Sequence, residues 1–475
     1  MARIVVIGAG LGAMAAAARL AVAGHRVTVY EINSTYGGGV RRLERDGFGF
    51  DTGPGLLHLP AVYRDLFVKT GKRPLEECVT LTQVDPASRH VFADGTTVDL
   101  PNASRAGTVA ALDAALGAGA GERWGEFLVR AREAWDRTRR PLLEEPQAAD
   151  TSALGREPYP AVKAGLLRRP TTTLAQIGAR ELRDPRLAAL LDSYAWGYGF
   201  DPATAPASAA VLPYMEQTFG SWYVAGGIRA LADAVYERCL ERRVEFVFDT
   251  EVTDVLREHG RAVGLKLAGG ETVLADHVVA GAPVPMLYQE QLVGWERQDE
   301  WPHFQPVRTG RVTVCLALRG ARESGAVHRT VVHATGALPT VTVLRPDDPA
   351  LRPDDAHESV TVTATEGVLS SWDEFAEHML VQAEMVVPDL RERLLWREVR
   401  TPDDTLLETG AAEVPGPALA GDRGRWLPAA NVSPVPGLYF VGGWSHPGGG
   451  LAHAGMSGAL VAGLIVEGAD FRGSQ

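Results

Sequence analysis

Three glycines and an acid at fixed spacing carry the first recognisable chemistry in this chain: Gly8-Ala-Gly10-Leu-Gly12-Ala13, with Glu31 lying 18 residues beyond Ala13. Gly8 permits a tight turn, Gly10 lets a pyrophosphate approach the backbone, and Ala13 is small enough where helix and strand must pack closely. Free N–H groups at a helix N-terminus bind the phosphates, and Glu31 accepts hydrogen bonds from ribose hydroxyls. That chemistry is dinucleotide binding. The acid argues against a 2′-phosphate at this site, where Arg would be required. A second cluster, Gly37-Gly38-Gly39, begins six residues after Glu31, and Arg41-Arg42 and Gly47-Phe-Gly-Phe-Asp51-Thr-Gly53-Pro54-Gly55 follow. A NAD dehydrogenase needs no glycines so early, whereas an extended FAD runs its ribityl chain and ring past such a segment. Near the C-terminus, Gly437-Leu-Tyr-Phe-Val441 reads as a strand ending in Gly442-Gly443. Trp444-Ser-His-Pro-Gly448-Gly-Gly450-Leu-Ala-His453 and a helical run to about Gly468 come next. A helix start there aims backbone donors at the flavin pyrimidine.

The flanking sequence supplies the elements that must hold these groups. Arg3-Ile-Val-Val-Ile7 is a β-branched run that reads as a buried strand. An alanine-rich stretch to Ala23 has high helix propensity, Gly24-His25 closes it, and Arg26-Val-Thr-Val-Tyr30 is the second strand. The same Ile4–Gly24 stretch has the apolar look of a signal peptide, but Gly8, Gly10, Gly12 and Arg19 interrupt it and a strand follows at once. Further on, Thr108–Ala118, Arg123–Arg139 and Thr173–Leu191 show apolar periodicity near 3.6, so residues 76–219 are expected to be largely helical. Residues 291–429 mix alternating strands, Arg311–Leu318 and Ser359–Ala364, with a helical run Glu374–Glu384. No other segment approaches ~18 uninterrupted apolar residues, the length of a membrane span.

With these residues in view, the chain resembles the bacterial-type phytoene desaturases within the FAD-dependent amine-oxidase-like superfamily. The resemblance covers nearly the whole chain and rests on Gly8–Glu31, Gly37-Gly38, Gly47–Pro60, Tyr194–Pro206, Glu216–Leu231 and the His446–Gly450 segment. It implies an α/β fold: a discontinuous Rossmann-like FAD-binding domain from residues 1–75, 220–290 and 430–475, and a substrate domain of mixed sheet and helices from 76–219 and 291–429. It also implies that FAD is held by Gly8, Gly10, Leu11, Gly12 and Ala13, by Glu31, and by Gly37, Gly38 and Gly39 with Arg41 and Arg42. Pro54, Gly55 and Leu56, the backbone of Val252, and Gly442, Gly443, Leu451 and Ala452 complete that set. Val244–Val252 looks like the strand that brings the valine to the adenine. The chain departs from the family pattern at Gly39, where Lys or Arg is usual, and at His58, usually a small hydroxyl residue. It departs again at Ala452, usually proline, and in the bulk of Trp444.

No Ser-His-Asp or metal-ligand spacing stands out, which fits an enzyme whose cofactor carries the difficult step. Desaturation takes a hydride from one allylic carbon and a proton from its neighbour, so the protein supplies alignment, water exclusion and one base. His58, His446 and His453 are the candidate bases; the competing role for each is a structural histidine satisfied by backbone or capping its loop. Tyr194, Trp196, Tyr198, Trp222 and Trp444 are candidate walls of an apolar tunnel, against the alternative of ordinary core packing.

Composition bounds the rest. The 475 residues make about three domain-sized masses, and 45% hydrophobic with 22% charged residues is ordinary globular usage. Net charge of −12 argues against a broad nucleic-acid surface. Cys78, Cys239 and Cys315 form no C-x-x-C pair, which excludes a disulfide framework and fits a cytoplasmic setting. The expected protein is an FAD-dependent oxidoreductase desaturating an apolar, carotenoid-like isoprenoid. It loads that substrate by peripheral membrane contact through the helical 76–219 region and returns electrons to oxygen or a quinone. The rival expectations are oxidation or isomerisation of a polyketide-type polyene, and a non-enzymatic lipid-binding protein of the same general fold.

Overall fold

The computed structural model describes residues 1–164, 167–283, 310–365 and 371–473. Arg3–Ile7 is the central strand of a five-stranded parallel sheet, in the order Glu245–Val247, Arg26–Tyr30, Arg3–Ile7, His277–Ala280, Leu438–Phe440. Ile4 and Val6 pack into one core cluster and Val5 into another, because a parallel sheet is covered on both faces. Helices Leu11–Val22 and Leu451–Glu467 lie against each other on the first face. Only small residues allow that approach. A Cβ on Gly12 would stand 2.8 Å from the Ala454 carbonyl oxygen and from Gly442 Cα, and one on Gly458 would stand 2.6 Å from the Gly12 oxygen. Both helices therefore begin at the same end of the sheet.

A seven-stranded sheet forms the second layer, in the order Leu394–Arg400, Arg311–Arg319, His357–Thr365, Val341–Leu344, Arg329–Val332, Ser88–Val91, Thr97–Leu100. Its strands alternate with period two. Val312, Val314, Val343, Val360 and Val362 pack under the helix Trp372–Glu384 through Phe375, Met379 and Leu380. The residues between them in sequence face the opposite way. Helices Arg105–Leu116, Ala120–Arg139, Pro185–Gly197 and Val211–Phe219 build a further layer around Trp124, Phe127 and Leu190.

Three expectations are corrected. Residues 76–219 are not only helical: Leu81–Gln83, Ser88–Val91 and Thr97–Leu100 are strands. The last two are joined at Asp94-Gly95, where Gly95 takes a φ of 82° that suits a tight hairpin. The single helix read over Thr173–Leu191 is broken. Leu174–Ile177 and a wider turn over Gly178–Leu182 end before Asp184, whose carboxylate accepts from the Arg186 N–H and starts a new helix with Pro185 in its first turn. The stretch Val244–Val252 is not one strand. Glu245–Val247 joins the parallel sheet and Val252–Glu258 a separate three-stranded one, with Asp249 at a φ of 52° turning the chain between them. The boundary expected at 290/291 lies outside the described residues. Among the described residues, no helix is long and apolar enough to cross a membrane.

Candidate active site

The two layers enclose one continuous cavity of about 1340 Å³, beyond the ~300–1000 Å³ typical of a site for one drug-sized ligand. One end is built by the strand–turn–helix unit. Gly8 takes a φ of 85° and donates its N–H to the Tyr30 carbonyl at 2.7 Å, which folds the turn back onto the second strand. Met14 donates to the Gly10 carbonyl, so the N–H groups of Leu11, Gly12 and Ala13 precede the first helical bond and remain available. Glu31 is 6% exposed. Its Oε2 accepts from the Ala9 N–H at 2.7 Å, and its Oε1 accepts from the N–H and Nδ2 of Asn33. The carboxylate is thus locked beside the turn, with acceptor capacity left on Oε2 for a ribose hydroxyl.

The structure brings most of the sequence-expected cofactor residues onto this lining: Gly8, Gly10, Leu11, Gly12, Ala13, Glu31, Gly37, Gly38, Gly39, Pro54, Gly55, Leu56, Val252, Gly442, Gly443, Leu451 and Ala452. A Cβ built on Gly10 meets nothing within 4 Å, so the backbone is open to the cavity there, as a pyrophosphate requires. A second helix start faces the same space: Ala454 donates to the Gly450 carbonyl, leaving the N–H groups of Leu451, Ala452 and His453 at the lining. The residues present fit an extended dinucleotide. Arg41 and Arg42 are not on the lining. Arg41 donates to the carbonyls of Gly38 and Glu408, and Arg42 to those of Gly226 and Ala350, so both guanidiniums tie loops together.

Tyr194, Trp196, Tyr198 and Trp444 share the same lining, and a Cβ built on Gly450 would stand 3.5 Å from the Tyr198 ring. Trp222 stays outside the lining: its indole N–H donates to Phe219, and the Arg64 guanidinium sits 5.3 Å from its ring. The three histidines separate. His446 is fully buried, off the lining, with Nε2 bonded to the Glu145 carbonyl at 2.9 Å. His453 lines the cavity, is 7% exposed, and makes no side-chain hydrogen bond among the described residues. Burial, and then the neighbouring His446, push its pKa down to about 4, so the ring is a neutral acceptor at neutral pH. His58 also lines the cavity, with Nδ1 3.4 Å from the Gly220 carbonyl oxygen and Nε2 3.6 Å from Glu216. Burial lowers its pKa against the pull of Glu216.

Sequence reasoning missed the charged groups beside His58. Glu216 pairs with Arg329 inside the cavity wall, and the two side chains are 12% and 14% exposed. Burial would raise the Glu216 carboxyl, but Arg329 and then His58 outweigh it and hold it below its usual range. Arg311 and Thr313 were missed as well. Both occur in a strand that the sequence does identify, and their positions i and i+2 place them on one face.

A model of the family described as flavin containing amine oxidoreductase matches residues 13–466. The chain is 29% identical to 4,4'-diapolycopene oxygenase of Methylomonas sp, over 98% of each chain. It is 27% identical to 4,4'-diaponeurosporene oxygenase of Staphylococcus aureus, over 97% of each. Its fold is that of an oxidoreductase from Methanosarcina mazei, with a TM-score of 0.66 and 17% identity over 97% of this chain and 99% of that one.

Proposed function

The chain belongs to the flavin-containing amine oxidoreductase family, and on that premise we propose that it is an FAD-dependent oxidoreductase that removes hydrogen from a carotenoid-like polyene. One observation carries this reading: the first glycine turn and Glu31 line the same cavity as the rings of Tyr194, Trp196, Tyr198 and Trp444. Bound FAD supplies the hydride acceptor. The N–H groups of Leu11, Gly12 and Ala13 would hold its pyrophosphate, and those of Leu451, Ala452 and His453 would offer positive dipole ends to negative charge on the bound group. The aromatic rings align the chain and exclude water. His453 accepts the proton. A base with a pKa of about 4 is weak, but the C–H bond next to a carbon that has lost hydride is acidic enough for it. Reoxidation by oxygen or a quinone, substrate loading at a membrane surface, and the division into a discontinuous FAD domain and a substrate domain belong to the same proposal. A second reading, oxygenation of the polyene end, is favoured by the names of the two carotenoid-oxidising relatives.

The test is anaerobic mixing of the purified holoprotein with diaponeurosporene or lycopene. Bleaching of the flavin absorbance, with a product carrying an added double bond, is the expected outcome. Label incorporated from isotopic oxygen under air would select the second reading, and absence of bleaching by any polyene would remove the first. His453→Gln is expected to keep FAD and lose turnover by about 100-fold, the low end for a general base because so weak a base has little to give. The neutral ring is the working form, so activity should stay level as pH falls from 8 to 5. A rate that falls through pH ~6.5, the ordinary histidine value, would exclude this assignment.

A further inference from the structure

The face of the seven-stranded sheet that lines the cavity is more polar than a hydrocarbon requires. Arg311, Thr313, Thr342, Thr363 and Thr365 all lie on the lining. They are neighbours in the sheet: Arg311 is opposite Thr365, and Thr313 and Thr342 are each opposite Thr363. Thr313 is 2% exposed, and none of the four threonine hydroxyls has a hydrogen-bond partner among the described residues. The guanidiniums on the lining differ in the same way. Arg329 is neutralised by Glu216 and Arg400 by Glu408. Arg311 has no carboxylate partner among the described residues, and its one hydrogen bond runs from Nη2 to the Gly197 carbonyl at 2.9 Å. Burial works against its charge, and of the titratable groups only Tyr198 favours that charge. A guanidinium has five donors in a rigid fork. Covering it with an alkyl chain would leave most of them unmet, and unmet buried donors are costly.

We propose that the substrate is not a pure hydrocarbon: its apolar chain ends in a carboxylate, which Arg311 receives while the threonine hydroxyls beside it take the remaining oxygen lone pairs and any polar group further along. A carboxylate fits better than a diphosphate because the lining offers one unneutralised guanidinium among the described residues, and two coplanar oxygens match its fork. The inference rests on the polyene reading above and narrows it to an amphipathic member of that class.

The test compares all-trans retinoic acid with methyl retinoate, two polyenes that differ in charge at one end, by perturbation of the flavin spectrum of the holoprotein. The acid is expected to bind about 10- to 100-fold tighter than the ester, the range of a charge-assisted hydrogen bond. Arg311→Met should bring the two within about threefold of each other, and Arg311→Lys should keep part of the preference. Equal affinity of the wild type for acid and ester, or no binding of either, would overturn the inference. So would an Arg311→Met variant that keeps the preference while shifting the flavin reduction potential, because the guanidinium would then serve the flavin. The wild-type comparison and Arg311→Lys decide the matter if Arg311→Met does not fold. Failure of the polyene reading registers separately, as tight binding of the acid with no bleaching of the flavin by either the acid or uncharged polyenes.

Discussion

Gly10→Val is expected to yield a folded protein that no longer retains FAD. Gly10 has φ −69° and ψ 162°, a conformation open to any residue, and an added Cβ meets no protein atom within 4 Å. The cost to the fold is limited to a poorer helix N-cap, about 1 kcal/mol. The new side chain instead fills the cavity in front of the N–H groups of Leu11, Gly12 and Ala13. Loss of one or two charge-assisted hydrogen bonds at about 1.5–3 kcal/mol each weakens FAD by about 10- to 10⁴-fold. Gly12→Val does the reverse. Its Cβ would press on the Ala454 carbonyl and Gly442 Cα at 2.8 Å, so the two helices must separate. Stability falls by about 1–3 kcal/mol or more before any cofactor is considered. Flavin content per chain and the Tm of the apoprotein separate the two cases. Full FAD retention in Gly10→Val would move the pyrophosphate off this turn.

Arg329→Met is expected to cost about 3–5 kcal/mol, the penalty for stranding a buried partner charge. Glu216 would keep His58 at 3.6 Å and the Ser221 hydroxyl, neither of which replaces the guanidinium. The double variant Glu216→Leu with Arg329→Met should recover most of the loss, because removing both charges also removes their desolvation. The pH dependence has a definite sign. In the wild type the Glu216 carboxyl is held below its usual range. Its contribution is therefore complete above the unfolded value of about 4.3 and is lost as pH falls through the lower folded value. Without Arg329, burial dominates and the carboxyl rises, so Arg329→Met should regain stability as pH falls from 7 to 5 while the wild type does not. Thermal melts at both pH values measure this, and an equal Tm deficit at the two would contradict it.

The glycine-turn part of the lining was readable from the sequence because its determinants are local. The turn at Gly8, the open backbone at Gly10 and the acid closing the second strand all lie within 24 residues, Gly8–Glu31, and dihedral preference and hydrogen-bond chemistry specify each of them. The early glycine cluster and the C-terminal strand–glycine–helix unit were legible in the same manner, and both reach the cavity lining. Arg41, Arg42 and Trp222 have suitable chemistry and sit close in sequence to lining residues, yet their side chains bond to backbone carbonyls elsewhere. His446 and His453 are seven residues apart and were equivalent in sequence, but Nε2 of the first bonds the Glu145 carbonyl away from the cavity, while the second lines the cavity with no side-chain hydrogen bond among the described residues.

What the chain order alone determined is a nucleotide-binding unit of strand, glycine turn, helix, strand and acid, with a second glycine-started helix near the C-terminus. The tertiary structure alone decided which further side chains share that cavity. Period-two alternation puts Arg311 and Thr313 on one face of their strand, but only the helix Trp372–Glu384, packed on the valine face, determines that the polar face turns to the cavity. Glu216 and Arg329 are 113 residues apart and meet across two elements. Backbone conformation is a local property of neighbouring residues, whereas burial, and with it the charge state of His58, Glu216 and Arg311, is set by which distant surfaces come together.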